Sequence, residues 1–485
     1  MDHDLAPVFS RVESYRDEMA QSLSRLIQVP CIRDAGDAGP GPEGAQVLAV
    51  AREMSEQCGL TYREVAGQVG VAEMGQGDGV VGALLHLDVV PPGADWQHPP
   101  FSGLIIDGEV WGRGAQDDKG PTVSVLYAAR AVREGAVPLA RTFRILLGTD
   151  EETGVWRDID AYLAEETAPL MSFVPDGEFP ITCGEKGFCN VAITMPAVPE
   201  EAGDAPRLEA LVAGERSNVV PDRATAALMA RRGAAGLLEQ LEERCARFRK
   251  QHEEASLSVR AGEGADGIVV EALGRAAHGS TPEKGHSAFL DLVALLSDVP
   301  LADSAAARMV RFVTEAVGFD LSGGGLGLRY EHDFTGQTTV NIGLVTVLED
   351  GGCKAVANVR MPIGLSQLSV LNGVAAAANA FAGRTGAPVD VRQEGRGHEP
   401  LYVDPEGELV RGLARAYQQA TGLGAKLRST GGTTFAKSMP NCVAFGAAMD
   451  DDPPLYHRAD ERTSVDVLVR NGRIYAAAIV ELCGA

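Results

Sequence analysis

Basic residues are scarce in this chain: 43 Lys and Arg stand against 67 Asp and Glu, a net charge of −24. A phosphate-binding surface needs a cationic face, so neither nucleic acid nor an anionic membrane is an expected partner. No apolar run approaches the ~20 residues that a membrane-spanning helix needs. The start, MDHDLAPVFSRVESY, is acidic and has no apolar centre, which argues against a secretory signal. None of the eight cysteines pairs with another across the two-residue gap of a zinc knuckle or redox motif. In a chain this long they read as reduced core residues, and a cytoplasmic location is expected.

What remains is an ordinary globular composition, 45% apolar and 23% charged, which excludes general disorder. At ~100–200 residues per domain, 485 residues imply two or three cores. The acidic balance suits a small net-neutral substrate or a bound cation.

The first third alternates helix and strand signals. Residues 5–28 carry apolar positions at helical spacing until Pro30, a loop follows at 34–42, and 43–58 form a second helix ended by Gly59. Apolar runs of strand length follow at 80–90, 142–149 and 171–175, with a hairpin about Asp107-Gly108 and a helix from Pro121 to Glu134. Buried strands alternating with helices predict a mixed, mostly parallel α/β sheet with helices on both faces. The acidic stretch 197–206 marks a crossing into an α+β insertion, with helices at 232–253, 287–297 and 366–383 and strands at 267–278 and 354–362. Near 395–405 the α/β style resumes, with Asp404-Pro405 as a helix start, a Gly-rich turn at 430–434 and a last helix at the C-terminus.

The polar residues fall in one kind of place. His86 and Asp88 end the run ALLHLD, Asp117-Asp118 precede the Pro121 helix, Glu151-Glu152 follow RILLGTD, and Asp176 follows SFVP. Each group sits just past the carboxyl end of an expected strand, the crevice where open α/β sheets place ligands. Singly they have ordinary explanations: Asp-Asp caps a helix, Glu-Glu is a solvated face, Pro-Asp-Gly is a turn. Jointly they make a site. Histidine with several carboxylates is a metal-ligand set. If Asp117, Glu152 and Asp176 bind beside two neutral histidines, three negative charges face four positive ones, leaving about +1 to polarise a carbonyl. Neighbours in an extended segment point opposite ways, so one of Glu151 and Glu152 ligates while the other serves as general base. Asp88 shares a face with His86 and could hold its ring.

The segments HLDVVP (86–91), WGRGAQDDKGP (111–121), GTDEET (148–153), PDGEFP (175–180) and HRADE (457–461), in that order, resemble the dinuclear zinc exopeptidases that include carboxypeptidase G, aminoacylase, acetylornithine deacetylase, succinyl-diaminopimelate desuccinylase and carnosinase. Within that family the chain looks most similar to the bacterial PepV-type (Sapep-like, Xaa-His) dipeptidases. The resemblance implies a phosphorylase/hydrolase-like zinc-peptidase catalytic domain, residues 1–190 and 393–485, with an inserted α+β lid (dimerisation-like) domain at 191–392. It implies two divalent metal ions, zinc first, with manganese or cobalt as substitutes. His86 and Asp176 would bind one ion, Glu152 and His457 the other, and Asp117 both. Glu151 would be the base and Asp88 would orient His86. In the lid, AAHGSTPEKG (276–285) presents His278 for the oxyanion, ERSNVVPD (215–222) presents Asn218 and NVRMP (358–362) presents Arg360. In STGGTTFAK (429–437), Gly431 and Gly432 would hold the substrate terminus through backbone donors. Thr434 stands where a tyrosine is expected, and the last motif has no Asn.

The activity so implied is hydrolysis of dipeptides. A deacylase of acetyl- or succinyl-amino acids and a catalytically silent amino-acid-binding relative are the alternatives. A lid of about 200 residues resembles two lid halves in one chain, so a monomer is expected over a homodimer. His3, His98, His252, His286, His332 and His398 have no supporting constellation.

Overall fold

The computed structural model describes residues 4–199, 203–231 and 233–484, so His3 and part of the expected crossing at 197–206 lie outside the described residues. The chain divides into two compact units, one made of Met1–Gly184 with Leu401–Ala485 and the other of Glu185–Pro400.

The first unit is built on a nine-stranded mixed sheet. Its centre is parallel: Thr142–Gly148, Val80–His86, Met171–Val174 and Cys442–Ala444 run side by side in one direction. Antiparallel strands flank them, Val69–Met74 and Thr61–Val65 on one side and Ile181–Glu185 on the other. The central strands are buried almost throughout, as sheets covered on both faces require. Successive residues show the two faces. Phe173 stacks on Tyr475 of the helix Val465–Cys483, ring centroids 6.0 Å apart. Its neighbour Val174 joins Leu84 and Leu146 against Trp156, Ile159 and Tyr162, at the helix Arg157–Glu165.

A small three-stranded sheet matters more to function. Asp107 and Gly108 both have positive φ, the geometry of a tight hairpin turn, between Leu104–Ile106 and Glu109–Trp111. Arg462–Ser464 pairs with Glu109–Trp111 and so brings the 457–461 segment beside the 111–121 segment.

Two expectations need correction. The helical stretch 5–28 is two helices, Ala6–Ser14 and Arg16–Ile27, broken at Tyr15, whose hydroxyl donates to Glu134 Oε2 at 2.6 Å. Asp404 does not cap a helix. Its carboxylate accepts from Glu406 N in a local turn, and the helix Glu408–Thr421 starts after Gly407. An Asp-Pro pair suits both arrangements, because Asp bonds the backbone two residues on as readily as it caps. All eight cysteines are buried thiols, and none is in a disulfide. Among the described residues no helix is long and apolar enough to cross a membrane.

The second unit is an eight-stranded, wholly antiparallel sheet. It has two four-stranded halves. One is Ser256–Ala261, Gly267–Leu273, Arg223–Met229 and Arg207–Ala213; the other is Thr339–Val347, Cys353–Met361, Gly187–Met195 and Asp390–Gln393. The halves are joined through a single residue pair, Ala213 with Val345. The strands cross so closely there that a Cβ on Gly214 would lie 1.9 Å from the Gly343 oxygen, which only glycine avoids. Leu241, Leu292, Phe312 and Phe381, one from each of four helices, complete one continuous apolar core with the strands.

Candidate metal centre

Parallel strands deliver the site. His86 pairs with Gly148 across the sheet, and Ala83 pairs with Phe173, so three strands end at one edge. His86 closes the first, Thr149–Glu152 leave the second, and Asp176 stands two residues past the third. Asp117 comes from the loop before the helix Lys119–Glu134, and His457 from the segment before Arg462–Ser464.

These side chains meet around Asp117. One of its oxygens lies 2.9 Å from His86 Nε2, and the other lies 3.1 Å from His457 Nε2. His457 Nε2 is also 3.1 Å from Glu152 Oε1, and His86 Nε2 is 4.0 Å from Asp176 Oδ2. Two sets of potential ligand atoms result, His86, Asp117 and Asp176 in one and Asp117, Glu152 and His457 in the other, each within 4.8 Å of one another. A carboxylate that turns each oxygen to a different imidazole has the shape of a bridge. His457 is held at φ 60°, a left-handed backbone that few non-glycine residues adopt and that tends to mark functional constraint.

The charges are poorly balanced as they stand. Burial first, then neighbouring Asp117, push Asp176 up to about 8. Burial also lifts Glu152, and it holds Glu151 well above the carboxylate range with Asp176, Glu152 and Asp117 adding to it. Against the pull of burial, the two histidines keep the Asp117 carboxyl well below its usual range. Asp117 and Asp88 raise His86, and Asp117 and Glu152 raise His457 to about 11, both against burial. A divalent cation among these side chains would satisfy the acids and both imidazoles at once. Oxygen and imidazole donors in this number suit a divalent ion of the zinc, manganese or cobalt kind.

The Asp88 side chain departs from expectation. The ring nitrogen Nδ1 of His86 is hydrogen-bonded, at 3.0 Å, to the main-chain oxygen of Asp88 and not to its carboxylate, 3.6 Å away. That carboxylate instead accepts from the backbone N–H groups of Glu151 and Glu152, at 3.1 and 2.9 Å. Asp88 therefore holds the ring with its backbone and the two glutamates with its side chain. Sequence reasoning passed over Glu461 and Asp158, which do similar work. Glu461 Oε1 gathers the N–H groups of Gly114 and Gln116, and Asp158 Oδ2 those of Thr149 and Asp150. Both aspects were hidden because the partners are main-chain amides, which carry no sequence signal.

Gly431 and Gly432 follow the strand Leu427–Thr430, and Gly432 N donates to Thr430 Oγ1. Phe435, just beyond, is buried edge-on to His86, centroids 6.3 Å apart, which seats this loop under the centre. Asn218, His278 and Arg360 all belong to the second unit and lie close together within it. Gly279 N donates to Asn218 O at 2.7 Å, and Val219 pairs with His278. Arg360 is buried against Phe188, its Nε donating to Asn358 Oδ1 at 3.0 Å. Burial draws its guanidinium down to about 10. His98, His252 and His398 pack on Trp111, Phe248 and Phe188, His286 bonds Asp291, and His332 accepts from Phe334 N.

The chain is similar to known proteins along nearly its whole length. A family model described as peptidase family M20/M25/M40 matches residues 84–481. A Bacillus subtilis (strain 168) protein named "Putative dipeptidase YtjP" is 31% identical over 471 residues, covering 96% of this chain and 97% of that one. A Staphylococcus saprophyticus protein with a similar name is 30% identical, covering 98% of each. Human carnosine dipeptidase 1 shares the fold at 17% identity and a TM-score of 0.58, covering 99% of this chain and 98% of that one. The Vibrio alginolyticus aminoacylhistidine dipeptidase does so at 14% and 0.54, covering 96% of each. The motifs, the strand-end ligand groups and the family match lead to one conclusion: the chain belongs to peptidase family M20/M25/M40.

Proposed function

We propose that this chain is a dipeptidase that uses two divalent metal ions, zinc or, in its place, manganese or cobalt. The observation that carries this is the Asp117 carboxylate, turned with one oxygen to His86 and the other to His457. In this reading His86 and Asp176 hold one ion, Glu152 and His457 the other, and Asp117 both. When bound, such a pair polarises the scissile carbonyl and makes the attacking water more acidic. The dipeptidase names of relatives spanning nearly the whole chain support the substrate class.

The chain's own residues do the rest. Glu151, its carboxyl raised by burial, takes the proton of the attacking water and returns it to the leaving amine. Burial makes it a stronger base than an ordinary surface glutamate, which suits it to take the proton and give it back. His278, whose exposed ring is steadied by a 2.6 Å contact between Nδ1 and Ser280 Oγ, is assigned to the oxyanion. Arg360 and Asn218 are assigned to the substrate's polar ends, since a guanidinium fork matches a carboxylate. The backbone of Gly431 and Gly432 is assigned to the substrate terminus.

The test is a panel of dipeptides, tripeptides and acetyl- or succinyl-amino acids, run after metal stripping and graded reconstitution. Metal-dependent release of amino acids from dipeptides is the expected result. Release of acetate or succinate alone would move the chain to the deacylases, and binding without cleavage would make it a sensor.

A further inference from the structure

Thr149, Asp150, Glu151 and Glu152 are four successive residues whose main-chain N–H groups all donate to two buried aspartates. Asp158 Oδ2 accepts from Thr149 N at 2.6 Å and Asp150 N at 3.1 Å, and Asp88 accepts from Glu151 N at 3.1 Å and Glu152 N at 2.9 Å. A chain leaving a strand has amides with no ladder partner, and buried amides must find acceptors. Here carboxylates supply them, which makes the bonds short and directional.

Asp158 is placed for this by its surroundings. It lies fully buried in the first turn of the helix Arg157–Glu165, where the helix dipole favours a negative charge. Its second oxygen accepts from Ile159 N at 2.7 Å, so neither oxygen swings freely. Behind it the strand end leaves no slack: a Cβ on Gly148 would lie 2.5 Å from Asp158 Oδ2 and 2.9 Å from the Phe435 ring. On the far side Trp156 Nε1 donates to the main-chain oxygen of Glu151 at 3.1 Å.

We propose that Asp158 is a positioning residue for Glu151 and Glu152, fixing the root of their turn as Asp88 fixes its tip. The inference rests on the reading of Glu151 as the group that moves the proton. Proton transfer needs a reach of ~2.6–3.2 Å. Without Asp158 the root amides turn to other acceptors, and both glutamates shift together.

The test uses full-length, metal-loaded protein carrying Asp158→Asn, which keeps the shape but faces an amide N–H toward backbone donors. Since a ~1 Å misplacement can cost ~100-fold, kcat should fall about 10- to 100-fold while KM changes less than about threefold. Amide hydrogen exchange at residues 149–152 should speed up. Asp160→Asn, exposed on the same helix, should do neither. Gly148→Ala displaces the same carboxylate and should reproduce the pattern, which keeps the test decisive if Asp158→Asn does not fold. Normal kcat in either folded variant, or lost activity with unchanged exchange at 149–152, overturns the proposal. If the wild type cleaves no dipeptide, the substrate reading fails by itself, and exchange alone decides: faster exchange confined to 149–152 sustains the clamp, unchanged exchange removes it.

Discussion

Arg113 and Glu461 form an ion pair with no solvent exposure to speak of, Nη1 to Oε2 at 2.5 Å, and the pair ties the loop bearing Asp117 to the segment bearing His457. Glu461 Oε1 meanwhile accepts from Gly114 N and Gln116 N, at 3.1 and 2.9 Å. Removing one member of a buried pair strands the other charge, so Glu461→Ala should cost ~3–5 kcal/mol of stability. It should also weaken metal binding, because the Asp117 loop loses its anchor. Replacing both residues with apolar ones should recover part of the stability but not the metal affinity. Chemical denaturation and metal titration of the three proteins check this.

Glu151→Gln should keep its metal and lose activity. The substitution preserves size and removes only the proton carrier, so kcat should fall by ~100- to 10,000-fold with KM little changed. Steady-state kinetics beside elemental analysis decide it, and near-normal turnover would remove Glu151 from the mechanism.

The two histidines should separate in their effects. His457 is half exposed, so His457→Ala should harm folding stability less than loss of His86 does, while lowering bound metal from two equivalents to one. His86 is wholly buried against Phe435, and its removal should harm both metal binding and stability. Asp117→Ala should lose both equivalents. Metal content and melting temperature across the series test the bridge.

Metal removal should make stability depend on pH in a definite direction. In the stripped protein Asp176 is raised to about 8 and His457 to about 11. Unfolded, such groups titrate near 3.8 and 6.5, so the folded chain binds more protons than the unfolded one across the intervening range. Stability must then fall as pH rises from ~5 to ~8, Asp176 acting throughout and His457 from ~6.5 upward. The Asp117 carboxyl, held low, is ionised in both states there and adds no slope. Reconstitution should flatten the dependence. Melting temperatures of stripped and loaded protein at both ends of the range check it, and a stripped protein firmer at pH 8 would contradict it.

Much of the centre was legible because strands announce their own ends. ALLHLD and RILLGTD are apolar runs that stop at polar residues, and a parallel sheet aligns those stops along one edge. His457 was legible only through its motif's resemblance to known sequences, since nothing near it in the chain points to Asp117. Asp158 and Glu461 stayed hidden because they act on amides that the fold brings to them. Tyr15 hid a helix break because apolar spacing continues across it, and the bend depends on Glu134, far off in sequence.

The join between the halves of the eight-stranded sheet has a mechanical meaning. Elsewhere neighbouring strands are zipped through several main-chain pairs, but here one couple, Ala213 and Val345, carries the ladder across beside two glycines. Cohesion along that line comes from side chains beneath it and hardly from the backbone. Under load or partial denaturation this is the fault line, where the sheet should part before any of its strands unzip.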